Sequence, residues 1–243
     1  MQYVVSTIFN FIFIGWTAFL LLTLWVLMPF SRSIFRQGIA LWPKLLFPIL
    51  THLVGLTFEL RGEENIPDEP VIFAVKHQST WDTMFFLWLN AEVAYIMKDE
   101  LNFIPFWKGY MRKSQHVVID RFGAASAIRK LVSDCRNILD DHRSIVIFPE
   151  GTRSSPGEGN KYHPGIAALY TQTEAKVVPV ALNTGLFWGR RQYLKRPGKM
   201  TVQFLPSMPS GLDRKQFMSE LEFSIEEATR ILEQEVVNNN IHT

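Results

Sequence analysis

VIFAVKHQSTWD, residues 71–82, decides how this chain folds. Its first half, VIFAV, is an unbroken apolar run, mostly β-branched or aromatic, the pattern of a strand buried on both faces. From Trp81 to Leu89 the apolar pattern becomes that of a helix. Ser79 or Thr80 stands where an N-cap belongs, which puts Asp82 in the first turn. A buried strand that turns straight into a helix is the elementary unit of an α/β layer. His77 and Asp82 flank the corner. On one continuous helix five residues turn through about 140° net, so the two could not share a face; a strand-to-helix bend can bring them together. A carboxylate beside an imidazole fixes its tautomer and stabilises its protonated form, and such a pair can take a proton from a hydroxyl. The same letters also spell a capping box with a histidine in the preceding loop. The stretch alone leaves both readings open.

The texture recurs along the chain. LTFELRG (56–62), VAYIMK (93–98), HVVID (116–120), SIVIFPE (144–150), KVVPVAL (176–182) and MTVQFLP (200–206) also read as strands. Between them, residues 124–140 repeat apolar positions at three- and four-residue intervals. A second helix follows His163-Pro164-Gly165, a third runs from Asp213 to about Val237, and the tail NNNIHT (238–243) is expected to fray. Strands alternating with helices predict an α/β fold with a largely parallel central sheet flanked by helices.

The N-terminus differs. Tyr3 to Met28 contains no charged residue, and about 20 apolar residues suffice to cross a hydrocarbon core. With no positive charge before it and no small-x-small site after it, the run is not expected to be a cleaved signal peptide. Arg32, Arg36 and Lys44 follow; if the helix spans rather than half-inserts, the positive-inside rule puts the rest of the chain on the cytoplasmic side. A second apolar stretch, 38–56, is interrupted by Pro43 and Pro48 and reads as an interfacial or re-entrant helix packed beside the first. Residues 1–55 are thus expected to be membrane-anchoring helices and 56–243 an α/β domain ending in a helix. The expected location is the membrane, with the α/β domain on the cytoplasmic face of the inner (plasma) membrane.

A net charge of +2 gives no footprint for nucleic acid, and the single cysteine, Cys135, rules out an internal disulfide. Cys135 falls on the apolar face of the 124–140 helix and reads as core. FPEGTRSS, 148–155, places Glu150, Gly151, Thr152 and Arg153 at the end of a buried strand, where open α/β sheets present ligands. Arg153 suits bidentate phosphate recognition, Thr152 offers a hydroxyl and Gly151 lets the backbone approach closely. A plain Glu150–Arg153 loop ion pair is the alternative. Arg121, after VVID, is a second candidate phosphate anchor. GRRQYLKRPGK, 189–199, carries five basic residues and no acid, fitting anionic headgroups, a phosphorylated substrate or plain solvent. The chain has no P-loop, no GxSxG elbow and no His/Cys spacing for a metal.

In this order HQSTWD, VIDR, FPEGTRS and VVPV resemble the glycerolipid acyltransferase family, over roughly residues 71–185. The resemblance implies transfer of an acyl group from acyl-CoA or acyl-carrier protein to lysophosphatidate, giving phosphatidic acid. A different lyso-lipid or glycerol 3-phosphate is the alternative acceptor, and a non-catalytic lipid-binding protein the alternative class. It implies His77 as general base with Asp82 its partner, and Arg121, Glu150, Gly151, Thr152 and Arg153 around the acceptor's phosphate. It implies a membrane-seated N-terminal helical element, contact with membrane lipids, and no metal, cofactor or nucleic acid. Two positions depart from the family pattern: Lys76 stands where many members have asparagine, and Gln115 where glycine is usual. Lys76 is expected to add positive charge beside an anionic substrate.

Overall fold

A computed structural model of the chain describes residues 1–98, 106–119 and 124–241. Among them, seven strands form the central sheet: β1 (Leu56–Arg61), β2 (Ile72–Val75), β3 (Ala94–Lys98), β4 (Val117–Ile119), β5 (Ile145–Ile147), β6 (Val177–Leu182) and β7 (Gly198–Phe204). They lie in the order β1-β7-β6-β2-β5-β3-β4. Neighbours are parallel except β6 and β7, which pair antiparallel with Val180 opposite Phe204. The expected fold class, α/β with a largely parallel sheet, is the one observed.

Strand alternation divides the interior into two layers. In β2, Ile72 and Ala74 join a core with Leu131 and Cys135 of α5 (Ala124–Asp140), Leu169 of α6 (Gly165–Gln172) and Leu221 of α8 (Arg214–Ile241). Phe73 and Val75 join the opposite core with Phe85 and Phe86 of α3 (Thr80–Leu89) and Phe204 of β7. Burying one such side chain contributes about 1.5–3 kcal/mol, so the continuous apolar strands fix the sheet between its helices. Helix α8 docks through Phe217, Leu221 and Ile225, one turn apart and all fully buried. It continues as helix through Ile241, where a frayed tail was expected. Extending an existing helix costs far less than starting one.

Helix α1 (Gln2–Thr23) runs on as a 3-10 turn to Leu27, and α2 (Arg32–Ile49) follows. Neither Pro43 nor Pro48 stops α2, which starts earlier than its apolar stretch and ends in a wide turn at Gly55, φ +74°. The inner side of α1 is joined to the α/β body along its length. Phe9 meets Trp188 edge-on at 5.4 Å, and Trp42 Nε1 of α2 donates to Thr17 Oγ1 at 2.9 Å. Tyr110 Oη, on α4 (Trp107–Ser114), donates to the Leu21 carbonyl at 2.6 Å. The outer side is bare: Tyr3, Phe11, Ile14, Leu22 and Trp25 are more than half exposed. The segment Gln2–Leu27 is long enough to cross a membrane, and an 18-residue window within it has a mean hydropathy of 2.0 with only 17% of its residues buried by protein.

Gln115, at the family's glycine position, adopts φ +60° in the turn between α4 and β4. A left-handed backbone costs a non-glycine residue about 1–2 kcal/mol. Its side-chain carbonyl recovers some of this by accepting from Arg36 Nη1 of α2 at 3.0 Å.

Candidate functional site

Parallel β2, β5 and β6 end on one edge of the sheet, and each delivers a segment there. After β2 comes HQSTWD, after β5 FPEGTRS, and after β6 Asn183 and Thr184. Such an edge is where open α/β sheets hold ligands, because the loops can vary while the strands stay fixed.

The corner after β2 is both of the things its sequence spells. Ser79 caps α3, its Oγ accepting from Trp81 N–H at 3.1 Å, and Asp82 returns the bond from the first turn. Asp82 Oδ2 accepts from the N–H groups of Gln78 and Ser79 at 2.7 and 2.8 Å. The same oxygen lies 3.0 Å from His77 Nδ1. Because that oxygen is already an acceptor twice over, the imidazole presents Nδ1–H to it and keeps the lone pair on Nε2. His77 lines a cleft of about 420 Å³. Phe148 stacks on its ring at 3.9 Å, fixing the plane of the imidazole.

Asp82 is fully buried, and its other oxygen accepts from Thr184 Oγ1 at 2.6 Å. Nothing in the sequence singled Thr184 out. Its only signal is topological, since it follows the strand that pairs with β2. Thr184→Val is expected to keep the shape but leave Oδ1 of a buried carboxylate unpaired, costing about 1–3 kcal/mol of stability and roughly tenfold in turnover. Turnover and thermal unfolding of Thr184→Val, with Thr184→Ser restoring both, check this.

FPEGTRS wraps under the same cleft. Gly151 takes φ +62°, a turn that favours glycine, and Thr152 and Arg153 line the cleft with His77 and Thr80. Arg153 Nη1 donates to Thr80 Oγ1 at 2.7 Å. Burial above all lowers the Arg153 pKa; nearby Arg190 and Arg191 add to this, against the pull of Asp82. The alternative Glu150–Arg153 ion pair does not form. Glu150 is buried behind the cleft, where Oε1 accepts from His77 N–H at 3.2 Å and Oε2 from the Asn160 backbone and side chain, each at 3.1 Å.

Lys76 corrects its expectation. Its side chain is fully buried, and Nζ sits 2.8 Å from Glu226 Oε1 on α8 and 3.3 Å from Glu150 Oε2, while donating to the Glu158 carbonyl at 3.1 Å. An ammonium so desolvated is held by carboxylates inside the protein and faces no substrate. Gln78, on the other side of His77, is likewise tied to α8, its Nε2 donating to Glu233 Oε1 at 2.6 Å. Sequence reading missed Glu226 and Glu233, which are distant in the chain and indistinguishable from solvated helix charges. Arg121 lies outside the described residues.

Beside the cleft a narrower, almost wholly apolar cavity of about 200 Å³ runs under α1 and α2, lined by Leu20, Leu24, Ile39 and Met111. Trp42, Thr83, Tyr95, Met97 and Trp107 line both spaces. His116 also borders the apolar cavity, and burial, with Arg143 and Arg36 nearby, pushes its pKa down to about 3, so it stays neutral there. Cys135 is buried in α5, and burial, then Asp134, pushes its thiol up to about 12, which removes it as a nucleophile. Among the described residues no cluster of three or more His, Cys, Asp or Glu side chains is placed to hold a metal.

A family model described as Acyltransferase matches residues 57–183. A 1-acyl-sn-glycerol-3-phosphate acyltransferase of Pseudomonas aeruginosa is 30% identical over 195 residues, 80% of this chain and 76% of that protein. Proteins of the same name from Limnanthes alba and Saccharomyces cerevisiae are each 29% identical, over 74% and 70% of this chain and 64% and 58% of their own lengths. Among solved structures, a 1-acyl-sn-glycerophosphate acyltransferase of Thermotoga maritima shares the fold, with a TM-score of 0.71 at 23% identity, covering 95% of this chain and 97% of that one.

Proposed function

The chain belongs to the acyltransferase family, and from that premise we propose that it moves a fatty acyl group from a thioester to the free hydroxyl of 1-acylglycerol 3-phosphate, giving phosphatidic acid. One observation carries this reading: a histidine oriented by a buried carboxylate shares a cleft with an arginine that no carboxylate pairs among the described residues. His77 Nε2 takes the proton of the acceptor hydroxyl as its oxygen attacks the thioester carbonyl. The new C–O bond forms and gives a tetrahedral intermediate. Its collapse breaks the C–S bond, and the leaving thiolate takes the proton from the imidazolium. Asp82 stabilises that imidazolium without moving. Arg153, with Arg121, holds the acceptor's phosphate, so hydroxyl and base meet in one orientation. Thr152 and Gly151 complete that phosphate site, and Glu150 acts from behind by holding the His77 backbone.

The acyl thioester is acyl-CoA or acyl-carrier protein, and no cofactor is used. An acyl chain reaches from the cleft into the apolar cavity beneath α1 and α2. Residues 1–55 form the membrane anchor of an α/β unit spanning 56–243, and membrane lipids cover the bare side of α1. Exposed Arg32 and Lys44, which follow α1, support a cleft on the cytoplasmic face of the inner (plasma) membrane.

The test is an assay of purified protein in detergent with an acyl thioester and lysophosphatidate, following thiol and lipid together. One phosphatidate is expected for each thiol released. Thiol without a new lipid would make the protein a hydrolase. Product with other lyso-lipids but not with lysophosphatidate would move the acceptor.

A further inference from the structure

We propose that Arg190, with Arg191 beside it, completes the acceptor's phosphate site with Arg153 and makes the enzyme prefer phosphomonoester headgroups to phosphodiester ones. This rests on the acyl-transfer reading above. Arg190 lines the same cleft as His77, Thr80 and Arg153. Its Nη1 donates to the Arg153 backbone carbonyl at 3.2 Å, so both arginines are held at the same cleft. None of Arg153, Arg190 and Arg191 has a carboxylate ion-pair partner among the described residues, whereas most buried cations here do. Burial first, and then the Arg190 and Arg191 charges, lower the Arg153 pKa. A phosphomonoester carries a charge of about −1.5 to −2 near neutral pH and a phosphodiester about −1, so a further cation favours the first.

The loop carrying Arg190 is held in place. Lys195 is buried, with Nζ 5.0 Å over the Trp188 ring and donating to the carbonyls of Gln192 and Tyr193. The loop also grips the start of α1: Lys195 N–H donates to Ser6 Oγ at 3.0 Å, Tyr193 Oη lies 2.6 Å from Thr7 Oγ1, and Asn10 Nδ2 donates to the Tyr193 carbonyl. Arg190 therefore stands between the cleft and the helix whose outer side is apolar. A lipid that brings its hydroxyl to His77 meets Arg190 in the same cleft.

The experiment compares wild type, Arg190→Gln and Arg190→Lys, with Arg191→Gln as a neighbour. Kinetics use lysophosphatidate, lysophosphatidylglycerol and acyl-CoA, and equilibrium binding uses lysophosphatidate in detergent micelles. Arg190 is exposed, so the variants are expected to fold. Losing one charge-assisted contact is expected to raise KM and Kd for lysophosphatidate about tenfold in Arg190→Gln, with the loss on KM rather than kcat. Preference for lysophosphatidate over lysophosphatidylglycerol should fall by roughly fivefold or more, and KM for acyl-CoA should hold. Arg190→Lys restores part of the affinity, as a point charge without a fork. Unchanged binding and selectivity would make Arg190 a solvated surface cation. A rise confined to the KM of acyl-CoA would assign the contact to the donor's phosphates, and either result overturns the proposal. The binding arm reads the site even in a protein that transfers no acyl group, so failure of the reaction and failure of the site are told apart.

Discussion

His77→Ala is expected to lower acyl transfer by about 10³–10⁴-fold while leaving the protein folded. Removing a buried group usually strands its partner, but here Asp82 keeps the Gln78, Ser79 and Thr184 donors. The structural loss is the stacking on Phe148, worth about 0.5–1.5 kcal/mol. Turnover and thermal unfolding of the same preparation separate the two effects. Asp82→Asn is the companion. Its amide nitrogen can sit on the Thr184 side, where the hydroxyl turns to accept and the backbone donors keep an oxygen, but a neutral amide no longer stabilises the imidazolium. A comparable fall is expected. An active His77→Ala would remove the imidazole from the chemistry, whatever else the cleft does.

Glu226→Leu is expected to cost about 3 kcal/mol of stability, because it leaves a fully buried ammonium with one carboxylate in place of two. Glu226 is partly exposed and Glu150 remains, which holds the figure at the low end for a broken buried pair. For a chain of this size that corresponds to a Tm lower by roughly 6–12 °C. Activity should fall as well, since Lys76 immediately precedes the base and its second partner, Glu150, bonds the His77 backbone. Lys76→Met combined with Glu226→Leu removes both charges of the closer pair and is expected to recover much of the stability. Thermal unfolding of both single variants and the double one measures the coupling. Additive losses would show that the pair does not hold the corner.

Sequence reading located each strand to within a few residues because each is a short apolar run with turn residues on both sides. Burial of both sheet faces leaves little room for other residues. The corner at His77 was legible for a related reason: a cap, a carboxylate three residues later and the strand before them are all local. What failed was non-local. Lys76 beside HQSTWD invites a role at the substrate, and only the position of α8 shows that Glu226 claims it first. Thr184 carries no signal until β6 is known to lie beside β2. Helix α4 escaped because it is short, contains Gly109 and begins at Phe106 with no capping side chain. In the resemblance Gln115 is only a departure from glycine. In the fold it is a left-handed residue anchored to α2.

Helix α1 is fastened to the body at Ser6 and Leu21, near its beginning and close to its end, and to α2 at Thr17. Seated in a lipid leaflet as proposed above, a helix fixed near both ends gives the cleft no freedom to swing on a tether. Once α1 is seated, the depth and tilt of His77 relative to the lipid surface are set by the protein's own rigidity. Its encounter with a lipid acceptor then becomes a search in two dimensions, governed by the mole fraction of that lipid in the leaflet more than by its concentration in the surrounding volume.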